Sequence, residues 1–367
     1  MARQNVGNPK FYVDLPSYWW ARGNIKGIGI YPDHMTGDTG YKPNIIGLNP
    51  TDFIDEELFE DGITYLTLEL KDKIYLPDAG TDSFFLGFLG HNFLEASLLS
   101  SGIIFYNEEG DVLFEVDSSN ITEICNLDGG EFQYNGWSLG QWTGGDSDGI
   151  YAISFKLTKE ALTTRTILGS LCFGNVFQMP HSPDLKLTMT REYDGIKEQT
   201  TRGGSTLTQI DYYKASEWAG YPAWELTLRD ISNMIHWNKR ETRSPSRGRR
   251  IWDLKFSYVN SDDLFAINEL TNIYNPTDTD TNSSSGYSSS DFDSLNNYSS
   301  DIRRSSSFLA VLMNNTIGGA LPFIFQPDGN NNAPDQFAIC KLDQGSFQYK
   351  QVANNVWDIN LKIREVW

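Results

Sequence analysis

The sequence predicts a mostly β protein: a jelly-roll-like β-sandwich joined to a second β-rich domain that carries two short helices. Three observations predict it. Apolar residues recur at every second position through much of the chain, as half-buried strands require. The composition, 13% aromatic with 32 Gly in 367 residues, suits strands joined by tight turns. Negative charge is also concentrated in one stretch, which divides a chain too long for one small domain into separate units.

That stretch is residues 44–150, with 21 Asp and Glu against two basic residues, Lys71 and Lys73, a balance of −19. Elsewhere stand 27 of the 29 basic and 27 of the 48 acidic residues, so the net charge of −19 lies entirely in this block. The charge break sets three expected regions. Residues 1–43 form an N-terminal segment packing on the second domain or on a neighbouring subunit, 44–165 the acidic sandwich, and 166–367 the second domain, with a flexible loop at 276–301. In that loop 20 of 26 positions are Ser, Thr, Asn or Asp, too little apolar surface to offset the entropy of ordering.

In chain order, Tyr18-Trp19-Trp20 places three large aromatics side by side, and they cannot all face one side of a strand. Thr64, Leu66, Leu68 and Leu70 then share a face, as do Tyr151, Ile153, Phe155 and Leu157. Residues 103–106 and 112–116 flank the polar turn Asn107-Glu108-Glu109-Gly110-Asp111 and read as a β-hairpin. Farther on, Leu185/Leu187/Met189, Trp224/Leu226/Leu228, Trp252/Leu254/Phe256/Tyr258 and Trp357/Ile359/Leu361/Ile363 repeat the alternation. Two stretches read as helices. Ser261 is placed to cap Asp262, Asp263 and the apolar series Leu264, Ile267, Leu270, Ile273, and Phe308, Leu309, Val311 and Leu312 precede Gly318-Gly319.

Composition excludes several function classes. The acidic block repels phosphate, so nucleic acid is not an expected partner, and the basic run Lys239, Arg240, Arg243, Arg247, Arg249, Arg250 reads instead as a solvated hairpin loop or a loop that meets the acidic face of a neighbouring copy. The longest apolar run, residues 308–313, falls far short of the ~20 residues of a membrane span. No signal-peptide pattern opens the chain, and Cys125, Cys172 and Cys340 are widely spaced and odd in number, which fits assembly in a reducing cytoplasm.

Catalytic signals are weak. Gly136-Trp137-Ser138-Leu139-Gly140 matches the nucleophile-elbow pattern, but glycine-rich turn residues follow where a helix is needed. Asp278-Thr279-Asp280-Thr281-Asn282 opens like a calcium loop, yet Ser283 and Ser289 stand where Gly and Glu are required. Asp146-Ser147-Asp148-Gly149 is an oxygen-rich turn whose carboxylates serve solvation more often than calcium. His34, His91, His181 and His236 form no zinc-binding pair. The expectation is a chain without enzymatic activity, cofactor or resident metal.

A set of phrases in the C-terminal half carries a resemblance. Residues 179–185 (MPHSPDL), 191–197 (REYDGIK), 201–204 (TRGG), 248–254 (GRRIWDL) and 321–328 (LPFIFQPD) resemble a family of virion structural proteins in marine tailed bacteriophages. The likeness covers about residues 165–367, and residues 88–93 (FLGHNF) look like a jelly-roll or galactose-binding-like sandwich beside that region. The resemblance implies a distal tail or baseplate component, assembled in the host cytoplasm into a virion-tail ring with tube, hub or fibre proteins as neighbours. Its alternative is a receptor- or carbohydrate-binding tail protein whose acidic sandwich holds a host surface glycan. The candidate subunit-interface residues are Trp19, Trp20, Arg240, Arg243, Arg247, Arg249 and Arg250.

Overall fold

A computed structural model gives the fold and describes residues 6–31, 45–48, 54–55, 62–76, 83–89, 102–125, 137–143, 148–159, 167–185, 188–192, 196–210, 249–265, 306–332, 336–343 and 345–366. The chain begins with β1 (Lys10–Asp14), α1 (Leu15–Ala21), β2 (Ile25–Tyr31), β3 (Ile54–Asp55), β4 (Gly62–Tyr75) and β5 (Ser83–Leu89). There follow β6 (Gly102–Tyr106), β7 (Val112–Val116), β8 (Thr122–Cys125), β9 (Trp137–Thr143), β10 (Asp148–Lys159), β11 (Ile167–Leu168) and β12 (Ser170–Gln178). The remainder comprises β13 (Thr188–Glu192), β14 (Ile196–Thr200), β15 (Thr206–Ile210), β16 (Arg249–Asn260), α2 (Ser261–Leu264), a π-helical turn (Leu309–Asn314), β17 (Phe323–Gln326), β18 (Ala338–Leu342), β19 (Tyr349–Ala353) and β20 (Val356–Glu365). The protein is mostly β, as its alternation predicts.

Two antiparallel sheets make the framework. The larger has 11 strands in the order β13-β16-β20-β18-β17-β1-β12-β5-β9-β8, with β19 branching from β20. The smaller has five, in the order β2-β4-β10-β6-β7. Pleating sorts each strand's side chains between faces. Leu66, Leu68 and Leu70 of β4 and Ile153 and Phe155 of β10 meet Phe84, Leu86 and Phe88 of β5 and Leu171 and Phe173 of β12, closing the smaller sheet onto the larger. The alternate residues of those strands, Phe85, Leu89 and Cys172, join Tyr12, Ile324 and Ile339 on the opposite face. Toward the C-terminal strands the first face continues with Phe11, Val13, Trp252, Leu254, Phe256, Leu361 and Ile363, covered by Phe308, Val311 and Leu312 of the π-helical turn region.

β1 sits at the centre. It pairs with β12 through Lys10↔Gln178 to Asp14↔Gly174 and with β17 through Lys10↔Gln326 to Val13↔Phe323. The N-terminal segment therefore packs on strands of the 166–367 region, while its β2 pairs with β4 of the acidic block. β5, β8 and β9 of that block belong to the same sheet as β16–β20. The boundary expected at 165/166 is not a break in the sheet. Charge density is a property of solvent-facing positions, whereas strand pairing here is decided by inward positions, and those of β5 and β12 are apolar on both sides of the break.

The helices differ from expectation in detail. Tyr18, Trp19 and Trp20 lie in α1, not in a strand. The signal is Asp14-Leu15-Pro16-Ser17: an Asp N-cap, a proline in the first turn and a short polar side chain. α2 spans four residues, has Asn260 rather than Ser261 at its N-cap position with no side-chain cap bond, and stops because Phe265 is extended; Ile267, Leu270 and Ile273 lie outside the described residues. Along β16 the alternation holds to Phe256 and then shifts at a bulge, where Tyr258, at φ 65, points outward and Val259 is buried. The 276–301 segment lies outside the described residues.

Gly174 fixes the closeness of β1 to β12. A Cβ there would stand 1.9 Å from the Val13 carbonyl oxygen and 3.1 Å from the Leu15 amide nitrogen, both backbone atoms. Gly174→Ala is therefore expected to destabilise the fold by at least the ~1–3 kcal/mol typical of overpacking, because the obstacle is main chain. Urea unfolding of the purified variant checks this, and a midpoint matching the wild type would show that the β1–β12 seam has slack.

Candidate interaction surface

The polar side chains that carry chemistry elsewhere are, in the interior, committed to holding the framework. Asp14 ends β1 and caps α1. Its Oδ2 accepts from the Ser17 backbone N–H at 3.0 Å and from the Ser17 hydroxyl, and its Oδ1 accepts from the Phe173 N–H at 3.1 Å. Burial pushes its carboxyl from 3.8 up to about 6, while these donors pull the other way by favouring the charged form. The latch thereby sets α1 on β12, with Trp19 buried 6.2 Å from the Phe173 ring. Successive helical residues are about 100° apart, so Trp20 turns outward and is 39% exposed. Of the two tryptophans, Trp20 alone faces a surface a neighbour could reach.

Arg249 and Arg250 open β16 and are not part of a loop. Arg250 is buried, with 7% of its surface accessible. Its backbone N–H and Nε donate to Glu365 Oε2 at 2.8 and 3.3 Å, its Nη2 donates to the Phe337 carbonyl at 3.1 Å, and its guanidinium lies 4.9 Å over the Trp252 ring. The loop expectation is corrected for this residue: pairing of β16 with β20 brings Glu365 to it across 115 residues of sequence. Arg240, Arg243 and Arg247 lie outside the described residues.

Ser138 lies within β9 opposite Phe88 and is buried, so the strand-to-helix elbow its motif would need is not formed there. His181 is buried against Phe256, with Nδ1 2.8 Å from the Ser182 carbonyl; His34, His91 and His236 lie outside the described residues. Cys172 and Cys340 are free and buried, and burial raises both thiols well above their ordinary value. Among the described residues no three His, Cys, Asp or Glu side chains group to hold a metal, and no helix is long and apolar enough to cross a membrane.

What the fold leaves exposed is more informative. Among the described residues β14 and β15 pair only with each other, Ile196↔Ile210 to Thr200↔Thr206, forming a two-stranded ribbon that follows β13, the first strand of the large sheet, in the chain. Residues 198–200 and 202–208 are exposed, including Leu207 at 59%, and the tip Thr201-Arg202-Gly203-Gly204-Ser205 is closed by Thr201 and Ser205 bonds with Gly204 at φ 82. A second open feature is β7, the last strand of the small sheet, where Val112 is 56% and Leu113 38% exposed. The neighbouring turn is closed by Asn107 and Asp111, as the sequence predicts for that hairpin. Sequence alternation identifies β7 but not its position at an edge, and the ribbon was marked only by Thr201-Arg202-Gly203-Gly204 as a turn signal.

Comparison with protein-family models finds no match, and neither does comparison with curated proteins. Among solved structures, the CBM32-1 and CBM32-2 domains of Clostridium perfringens ZmpB align at a TM-score of 0.23 and 11% identity, over 47% of this chain and 42% of that one. The chain thus spans less than half the length of that structure, and a likeness of this size does not establish a common fold.

Two predictions follow from the buried polar groups. Arg250→Ala leaves Glu365, 1% exposed, without its cation, and is expected to cost about 3–5 kcal/mol by chemical denaturation. A change under about 1 kcal/mol would mean that the pair is not what holds β16 to the chain's end. For Asp14, the raised folded-state pKa means the native protein binds the proton more tightly than the unfolded chain. Its stabilising contribution is present below about pH 4 and is lost as pH rises to about 6, by on the order of 2–3 kcal/mol. Asp14→Asn should flatten the stability profile across that window, measured by urea midpoints at each pH, and an unchanged slope would remove Asp14 as its source.

Proposed function

We propose that this chain is a non-enzymatic structural subunit of a bacteriophage tail, a ring-forming distal tail or baseplate protein that links the tail tube to the adsorption apparatus. The observation that carries the reading is the β14–β15 ribbon. Its first strand and its tip fall among the phrases, at 191–197 and 201–204, that resemble virion structural proteins, its residues 198–200 and 202–208 are exposed, and among the described residues no third strand pairs with it. Isolated two-stranded hairpins are marginally stable in water, so such a ribbon is suited to being completed by a neighbour. Assembly also agrees with how the interior polar groups are used. Asp14 is bonded to Ser17 and the Phe173 backbone, and Arg250 to Glu365 and the Phe337 backbone, so these buried charges serve the framework.

The glycan-binding alternative needs exposed aromatic faces for sugar rings to stack on. Among the described residues the large exposed aromatics are Trp20 and Tyr258, from separate elements, while most rings are built into the two cores. The assembly reading is the one these placements favour.

Immunogold labelling of virions with antibody against the purified chain tests it. Label at the tail end of intact particles, or at the tail of disrupted ones only, is the expected result, the second meaning a covered ring component. Label on neither overturns the reading. Binding of the purified chain to host surface glycans on an array, abolished by Trp20→Ala, would favour the alternative.

A further inference from the structure

We propose that the β14–β15 ribbon of one copy adds to the open edge of β7 in a second copy, so that subunits join head to tail. This rests on the assembly reading above and names the surfaces it would use. The two features are complementary in kind. Among the described residues the ribbon has two strands and an exposed Leu207 but no sheet to complete, and β7 ends a sheet with no described strand on its outer side and shows two adjacent exposed apolar residues, Val112 and Leu113. Among the described residues of the edge strands β2, β7, β8, β13 and β19, β7 alone shows two large exposed hydrophobics, β13 showing Met189 and β19 Val352. Exposed apolar edges are ordinarily blunted with charge or covered, and strand addition covers both the backbone and the side chains.

Charge commits the occupant. Residues 107–117 carry five carboxylates, Glu108, Glu109, Asp111, Glu115 and Asp117, and no Lys or Arg. Another acidic edge would be repelled, whereas the ribbon's charged residues are Lys197, Glu198 and Arg202, a small positive balance with Arg202 at the exposed tip. Position makes the contact intermolecular. The ribbon follows β13, at one end of the strand order, while the small sheet that ends in β7 packs over β12 and β5 toward the other end. Complementary patches at opposite ends of one molecule give a heterologous contact, which closes into a ring when the rotation per subunit divides a full turn.

The test uses the full chain and three exposed substitutions: Leu207→Asp and Arg202→Glu on the ribbon, Val112→Lys on the edge. Unchanged circular-dichroism melting establishes folding, and light scattering across a concentration series reads the assembly state. Wild type should self-associate, and each variant should weaken association by about tenfold or more. Leu207→Asp mixed with Val112→Lys should then form dimers and stop there, because only one intact ribbon and one intact edge remain per pair. Oligomers that persist in all three variants overturn the contact while leaving a ring assembled elsewhere. Variants that dissociate but stay monomeric when mixed show that ribbon and edge do not meet, which also overturns it. A wild-type chain monomeric at every concentration overturns both this contact and self-assembly.

Discussion

The insertion of β1 between β12 and β17 is the constraint on which the rest of the structure depends. Lys10–Val13 pair on both sides and Asp14 with β12, joining a strand that ends at Gln178 to one that starts at Phe323, and they bring three fully buried side chains, Phe11, Tyr12 and Val13, into two different cores. Burying each such side chain is worth on the order of 1.5–3 kcal/mol, so the seam is a large fraction of a typical net stability. Its geometry is enforced at both neighbours. Gly174 admits the Val13 carbonyl where any side chain would collide, and Tyr12 donates its hydroxyl to Gln326 at 2.8 Å, whose amide is anchored in turn to Asn331 and Asn332.

Asp14 and Arg250 extend the same logic to charge. A buried carboxylate or guanidinium is stabilised by the partners that replace its water, and Glu365 meets this with Oε2 while its Oε1 has no hydrogen-bond partner among the described residues. Asp14 meets Ser17 and Phe173, while Arg250 meets Glu365 and Phe337. Each pins segments that the strand pattern alone would leave loosely related: α1 onto β12 in one case, the chain's last strand onto β16 in the other. Removing a partner would strand a charge in the core, so both sites favour one arrangement of the framework over others.

The buried polar groups named above thus serve the framework. Among the described residues the two sheets end in strands whose outer edges are open, and after β13 the chain continues as a ribbon that pairs with no further described strand. Open edges and a lone hairpin are features that strand addition would stabilise.

By itself the sequence determined the β class, the inward faces of β4, β10, β16 and β20, the β6–β7 hairpin with its turn, and a helical turn before Gly318. These were legible because periodicity and turn chemistry are properties of neighbouring residues. The capping of α1 by Asp14 was equally local, and the Asp-x-Pro-Ser signal was there to be read. Tertiary structure alone decided that β1 would sit between β12 and β17, that the acidic stretch would share a sheet with the C-terminal strands, and that Arg250 would leave a basic run for a buried pair with Glu365. It also decided which strands became edges. Pairing joins segments hundreds of residues apart, and alternation says which face of a strand is buried without saying which strand lies beside it.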